Sequence, residues 1–302
     1  MVHWRPAIAG VFAAAAVCAC RPAKPAAEAV VRLGPAPVLT CKADPVFRWL
    51  DAANHPYSEE FRKSFSYAKA EVVLRFERRG PVFRGRLTAR RLKPNFVYQI
   101  KLVGLPPVLW LEKADAAANR RIGEVGRWWR PGKEAGNAYF FEPEKDADNL
   151  EAYLVFGYFA TDADGNADVP FALDSSYHVL WKTSQWPPSK DDSKPTRHEI
   201  VAEAGRCGYD RSFPAEAFEL YAEAQYGRPP LGAVRLAPGQ YRCFFLLTEE
   251  SFHAWGGEGG DWAAALAAEI EFTITPGAAA GQPADAKSKM PDARPEPTPQ
   301  AD

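Results

Sequence analysis

The sequence predicts a mainly all-β fold: an antiparallel β-sandwich of about nine strands, with long loop insertions and short helices near the N-terminus. Five segments alternate between apolar and polar residues with a period of two, as strands with one solvated face do. Three others are apolar on both faces, which is typical of central strands. Strands do not alternate with long helices in the sequence, and this favours an antiparallel sheet over a parallel α/β fold.

The strands follow one another along the middle of the chain. The alternating segments are 71–78, 82–90, 96–103, 167–173 and 269–275, and 197–203 is a weaker predicted strand. The segments that are apolar on both faces are 153–161, 177–181 and 241–247. Pro170 cannot donate a backbone hydrogen bond, so 167–173 is predicted to be an edge strand or to contain a bulge. Short helices are expected near 45–52, 58–65 and 214–225.

Two short motifs narrow the fold. Residues 92–98 read LKPNFVY and are similar to the leucine–proline–tyrosine turn of fibronectin type III domains. Residues 236–241, LAPGQY, are a shorter version of it. The resemblance implies an immunoglobulin/fibronectin-III-like sandwich in which the hydroxyls of Tyr98 and Tyr241 bond back to the preceding loop. It implies a fold and no activity.

The N-terminus predicts export. Residues 1–19 have the form of a signal peptide, with Arg5 before an apolar run at 7–17 that is too short to span a bilayer. Residues 17–20, VCAC, resemble the lipobox of bacterial lipoproteins. The resemblance implies that Cys20 is lipidated and anchors the chain to the cell envelope, facing the periplasm or the surface. An ordinary signal peptidase cutting after residue 19 would instead give a secreted protein.

The termini differ in composition from the body. Residues 20–40 are predicted to be a lipid-anchored flexible linker, because 21–37 are rich in proline and alanine and would reach roughly 55 Å when extended. Residues 276–302 are similarly poor in apolar side chains and are predicted to be a disordered tail. The sandwich domain is assigned to 41–275. Its insertions are 105–150, 184–195, 205–235 and 248–262.

The net charge and the cysteines narrow the expected partners and disulfides. The formal net charge is −1 with both signs interspersed, so a nucleic-acid partner is not expected. Three cysteines follow Cys20, and in an oxidising compartment two of them are expected to pair. Cys243 lies in an apolar strand, so a Cys41–Cys207 disulfide is favoured, with Cys207–Cys243 as the alternative.

An aromatic segment in the first insertion is the candidate ligand site. Arg127, Trp128, Trp129 and Arg130 place two indole rings between two guanidinium groups, with glycines before them. Exposed rings of this kind stack on sugar faces or bind protein ligands. The alternative is that Trp128 or Trp129 is buried and anchors the insertion, because neighbouring strand residues point in opposite directions.

A calcium site is a weaker candidate. Asp162, Asp164, Asn166 and Asp168 present alternating oxygen ligands around a glycine, as hard cations require. Asp-Gly-Asn between two strands is also a strong signal for a plain hairpin turn, and the turn is the favoured interpretation. No other metal or cofactor is expected from the sequence.

The sequence contains no motif that is typical of a common class of enzymes. The function it favours is therefore a non-catalytic envelope module that binds a glycan or a protein. A structural subunit docking on another envelope protein is the alternative. The third hypothesis is a hydrolase in which Glu249, Glu250 or His253 supplies acid–base chemistry.

Overall fold

A computed structural model describes nine stretches of the chain: residues 27–36, 46–104, 115–129, 151–174, 176–182, 196–206, 208–224, 234–250 and 262–277. Within these stretches no helix is both long and apolar enough to cross a membrane. The leader, Cys20 and the tail from residue 278 lie outside them.

The described residues form thirteen strands. Numbered in chain order, they are β1 (Glu28–Pro35), β2 (Glu71–Glu77), β3 (Arg79–Gly80), β4 (Arg84–Arg90), β5 (Val97–Val103), β6 (Arg127–Trp129), β7 (Glu151–Ala160), β8 (Ala167–Ala172), β9 (Tyr177–Lys182), β10 (Thr196–Ala202), β11 (Phe213–Ala224), β12 (Gly239–Glu250) and β13 (Trp262–Ile274). Two α-helices, α1 (Glu59–Ser64) and α2 (Ala116–Val125), and two 3-10 helices, Val46–Trp49 and Tyr67–Lys69, accompany them. The prediction of an all-β fold with short N-terminal helices is confirmed.

The strands make one continuous sheet in the order β10-β11-β9-β7-β5-β12-β13-β1-β2-β4-β8, with β6 beside β7 and β3 beside β13. All pairs are antiparallel except the short contact of β3 with β13. In the described part of the chain β8 pairs with β4 alone, so the strand that carries Pro170 is an edge strand, as predicted.

The sheet curls at β1. Residues 28–33 of β1 pair with β2, while Gly34 and Pro35 pair with β13. The layer β1-β2-β4-β8 folds over the strands β7, β12 and β13, and aromatic rings fill the space between them. The ring centroids of Phe83 and Phe272 lie 4.2 Å apart, and those of Phe171 and Phe245 lie 5.6 Å apart. The core therefore lies inside the curl.

Strand β1 corrects the prediction of a flexible linker over 20–40. Composition suggested a tether because alanine and proline dominate there. Ala29 and Leu33 are nevertheless buried, and the strand is hydrogen-bonded on both sides. Tertiary pairing thus orders a segment that has little to bury on its own.

The expected helix at 214–225 is also wrong. Residues 214–224 belong to β11, which lies between β9 and β10. Phe218 and Leu220 are two residues apart and both buried, so the period of two is present. Alanine and glutamate favour helix in isolation, but pairing on both edges of the strand overrides that preference.

Both predicted tyrosine hydroxyl bonds are present in the structure. The Tyr98 hydroxyl accepts a hydrogen bond from the Lys93 amide at 3.2 Å. The Tyr241 hydroxyl donates to the Ala237 carbonyl at 2.7 Å. Each phenol therefore ties its strand back to the loop before it, which confirms a structural role for both tyrosines.

The structure decides one of the two predicted disulfide pairings and leaves the other open. Cys243 is a free thiol in the core, and burial raises its pKa well above the usual range. A Cys207–Cys243 disulfide is therefore wrong for this structure. Cys41 and Cys207 lie outside the described residues, so the pairing favoured by the sequence stays a prediction.

Candidate functional site

The most concentrated chemistry in the fold is a buried ion cluster around Glu249. This residue lies on β12, directly opposite Tyr98 of β5, and its side chain is 0% exposed. Lys93 Nζ lies 2.7 Å from Glu249 Oε1, and Lys93 is 0% exposed as well. Arg48 Nε donates to Glu249 Oε2 at 2.6 Å. Two cations thus neutralise one buried carboxylate from opposite sides.

Two phenols complete the cluster. The Tyr67 hydroxyl donates to Glu249 Oε1, and its oxygen lies 3.1 Å from the Tyr98 hydroxyl oxygen. Burial, followed by the negative charge of Glu249, raises the pKa of Tyr67 well above its ordinary value. The same two effects raise the pKa of Tyr98. Both phenols therefore keep their protons, and Tyr67 is held as a hydrogen-bond donor to the carboxylate.

The ammonium group of Lys93 is enclosed by aromatic faces. Its Nζ lies 4.6 Å from the ring centroid of Trp49, 4.8 Å from that of Phe96 and 5.7 Å from that of Phe65. It also donates to the Arg48 carbonyl. Cation–π contacts of this kind offset part of the desolvation of the charge. Lys93 is therefore satisfied without water.

The cluster joins the N-terminal segment to the sheet. Arg48 and Trp49 belong to the first 3-10 helix and Tyr67 begins the second, whereas Glu249 and Lys93 belong to β12 and the β4–β5 turn. Both Glu249 oxygens accept bonds from within the fold, and the carboxylate has no exposed surface. The cluster holds the N-terminal segment against the sheet and is called the ion lock below. A substrate has no access to its carboxylate.

A second polar cluster lies beside it around Asp51. The buried carboxylate accepts the Ala53 and His55 amides at 2.8 and 2.9 Å, and it accepts the Tyr209 hydroxyl at 2.7 Å. The two amides bond to Oδ1, and His55 Nδ1 lies 3.2 Å from Oδ2, the oxygen that accepts the Tyr209 hydroxyl. The Asn95 amide donates to Tyr209 at 3.1 Å. This network fixes the 51–55 turn against the residues that precede β11.

The Asp162 loop is a compact turn between β7 and β8. Asp162 Oδ1 accepts the Asp164 and Asn166 amides at 2.9 and 2.8 Å. Asp164 pairs with Arg206, which holds the pKa of that carboxyl below its ordinary value. Asp168 pairs with Arg86 at 2.8 Å. The hydrogen bonds are those of an Asx turn, and the described residues contain no group of three or more acidic, His or Cys side chains arranged for a metal.

A groove of about 560 Å³ opens beside this turn, on the solvated face of β4 and β8. Polar groups and apolar surface both line it. The lining residues are Thr88, Ala89, Arg90, Asp162, Asn166, Ala167 and Asp168.

The aromatic segment lies on β6, which pairs with the start of β7. Trp128 is 4% exposed and belongs to the core. Its ring lies so close to Gly123 of α2 that a Cβ there would be 2.1 Å from a ring atom. Trp128 is thus the buried anchor of the insertion. Arg127 is half-buried.

Several candidate residues fall outside what is described. Cys20, Cys41, Cys207, Arg130 and His253 lie in undescribed stretches. For Trp129 and Glu250 only the backbone is described, as the ends of β6 and β12. The structure therefore joins Glu249 to lysine, arginine and tyrosine, and it gives no geometry for the proposed Glu249–Glu250–His253 set.

Sequence reasoning missed Lys93, Arg48 and Tyr67 as partners of Glu249. One signal was present: the alternation of 241–247, continued by two residues, places Glu249 on the same inward face as Tyr241. A carboxylate on an inward face requires a buried cation. The identity of that cation was not readable, because Arg48 is 201 positions away.

Compared with known protein families, with curated proteins and with solved structures, the chain shows no significant match.

Proposed function

We propose that this chain is an envelope lipoprotein, anchored through Cys20, whose folded body is a non-catalytic binding module for a glycan or a protein ligand. The carrying observation is the anchoring of β6. Trp128 is buried against Gly123 of α2 while β6 is hydrogen-bonded to β7. The backbone of Arg127 and Trp129 is thereby held on the sheet, and binding segments are commonly held by a rigid scaffold of this kind.

The state of Glu249 supports a non-catalytic role over the hydrolase alternative. An acid–base carboxylate must come within hydrogen-bond reach of a substrate. Glu249 is 0% exposed, and Lys93, Arg48 and Tyr67 occupy its oxygens. Its hydrogen bonds serve to join the N-terminal segment to β12.

Docking through an apolar surface has less support. Among the described residues the exposed large hydrophobics are Val30 at 52% and Val201 at 42%. They lie on β1 and β10, at distant places in the strand order. Larger contiguous apolar patches are typical of protein interfaces.

The curled sheet is proposed to be a variant of the immunoglobulin/fibronectin-III sandwich. Two layers packed through Phe83 and Phe171, together with the hydroxyl bonds of Tyr98 and Tyr241, support that assignment. Export and lipidation rest on the sequence of residues 1–20. Metabolic labelling with palmitate tests them: the parent should carry label in the membrane fraction, and Cys20→Ser should lose it.

Binding is tested on the mature chain carrying Cys20→Ser, by tryptophan fluorescence during titration with envelope and plant glycans, with and without calcium. Trp129→Ala and Arg130→Gln should weaken binding about tenfold or more. Trp128→Phe is the matched control, since it should lower stability and leave the affinity unchanged. A Trp129→Ala variant that binds like the parent would contradict the role of the segment. A calcium requirement would revive the Asp162 loop as a metal site.

A further inference from the structure

The groove on β4 and β8 is lined by polar side chains and by apolar surface. Thr88 of β4 stands opposite Asp168 of β8, and Ala89 stands opposite Ala167. Continuing this register by one pair brings Arg90 beside Asn166. The two polar pairs are about 7 Å apart, since residues on one face of a strand repeat at about 3.4 Å per residue. Their separation is close to the span of one hexose ring.

Arg90 is exposed at one end of the groove, and no hydrogen bond or ion pair of its guanidinium is found in the described part of the chain. Glu71 of β2 stands opposite Arg90, but the Glu71 carboxylate pairs with Arg91 at 3.0 Å. The Arg90 guanidinium is thus available to a carboxylate from outside, which it can bind with two parallel hydrogen bonds.

Carboxylate acceptors line the rest of the groove. Asp168, opposite Thr88, uses Oδ1 toward Arg86, and Asp162 uses Oδ1 toward the backbone of its own turn. Asp162 Oδ2 lies 3.4 Å from the side-chain amide of Asn166. The second oxygen of each carboxylate is an acceptor for ligand hydroxyl groups, which donate well to charged acceptors. The Asp168 carboxylate also repels an anion, so an acidic group is directed toward the exposed Arg90 guanidinium.

The turn that forms the floor is fixed before any ligand arrives. Gly165 has a φ of +74° and its carbonyl accepts the Leu92 amide at 3.0 Å. The Asp162 carbonyl accepts the Asn95 amide at 2.9 Å, and Arg206 holds Asp164. Preorganised polar groups lose less entropy on binding than mobile ones do.

We propose that this groove is a saccharide site specific for a sugar that carries a carboxylate, with Arg90 binding the acid group and Thr88, Asp162, Asn166 and Asp168 binding hydroxyls. This assignment rests on the proposed binding function and names its ligand class. A volume of about 560 Å³ is in the range of small-ligand sites.

The experiment is calorimetric titration of the mature Cys20→Ser chain with trigalacturonate and with its fully methyl-esterified form, which has the same skeleton without charge. The acidic trisaccharide should bind, and the ester should bind about tenfold more weakly or less. Arg90→Gln should weaken binding of the acid about tenfold and leave the ester unaffected. Thr88→Val, which keeps the branched shape, should weaken both ligands a few-fold.

Arg84→Gln is the matched control, because Arg84 is exposed on the same face of β4 and already pairs with Glu77 at 2.8 Å. It should bind like the parent.

Equal affinity for acid and ester, or an Arg90→Gln variant that binds the acid like the parent, overturns the site. If Trp129→Ala abolishes binding and Arg90→Gln does not, the proposed function stands and the groove does not. The reverse result supports the groove and removes the role of Trp129. Binding of neither trisaccharide overturns the acidic-sugar assignment, while binding of other glycans would still support the proposed function.

Discussion

Replacement of Glu249 should lower the free energy of unfolding by a large fraction, because it breaks the buried ion pairs of the ion lock. In Glu249→Leu, the ammonium of Lys93 loses its carboxylate partner and keeps the Arg48 carbonyl and the aromatic faces around it. Lys93 is 0% exposed and cannot reach water without local opening. Breaking a buried pair by removing one partner costs about 3–5 kcal/mol. Domains of this size have about 5–15 kcal/mol in total, so the loss is a major fraction.

The double variant separates an ion lock from ordinary packing. Lys93→Met alone should also cost about 3–5 kcal/mol, because it leaves the buried carboxylate with Arg48 and Tyr67. Lys93→Met with Glu249→Leu replaces both charges by apolar groups, and Arg48, at 21% exposure, can turn toward water. The double variant should therefore lose about 2 kcal/mol less than the sum of the two single losses.

Urea denaturation, followed by far-ultraviolet circular dichroism and by tryptophan fluorescence, measures these free energies of unfolding. Glu77→Gln is the control: it removes the exposed pair with Arg84 and should cost less than about 1 kcal/mol. A Glu249→Leu variant within about 1 kcal/mol of the parent, or strictly additive single losses, would refute the lock.

Three further predictions concern backbone strain and pH. Gly165→Ala should lower the thermal midpoint more than Gly205→Ala: both residues have a φ of +74°, but only at Gly165 would the new Cβ meet the Leu92 carbonyl, at 2.1 Å. Burial raises the pKa of Tyr241 from 10.0 to about 12, so the unfolded chain loses this proton first. Stability should be full below pH 10 and fall between pH 10 and 12, where tyrosinate absorbance should appear together with unfolding. Burial lowers the pKa of His198 from 6.5, so stability should fall as the pH drops below 6.5 in urea melts, and His198→Phe should flatten that slope.

Local pattern was enough for most of the strands. Alternation in 71–78 or 96–103 depends only on neighbouring residues, and β2 and β5 occupy those positions. The same local rule failed at β11, where helix-favouring residues are ordered by strands on both sides. It failed again at β1, whose order comes from β2 and β13.

The candidate site could be read only in part. The predicted strand ended at 247 and left Glu249 in the insertion 248–262, although continuing the alternation by two residues places Glu249 inside. Its partners Arg48, Tyr67 and Lys93 come from distant loops, so only the fold brings them together. For Trp128 the sequence left two alternatives, exposed platform or buried anchor. Trp128 is the anchor because its ring packs in the space that a Cβ at Gly123 would occupy. Spacing along the chain carries no information about that contact.

Strand β1 has a mechanical consequence for a chain anchored at Cys20. Only eight positions separate Cys20 from Glu28, so the body lies within about 27 Å of the lipid headgroups, half the reach of a free tether. A pull on the anchor acts along β1, whose hydrogen bonds to β2 and β13 then share the force in shear. Peeling β8 from the sheet edge would break its bonds one after another. A chain anchored at Cys20 would thus be held through a strand in the interior of its sheet, where the fold resists extraction best.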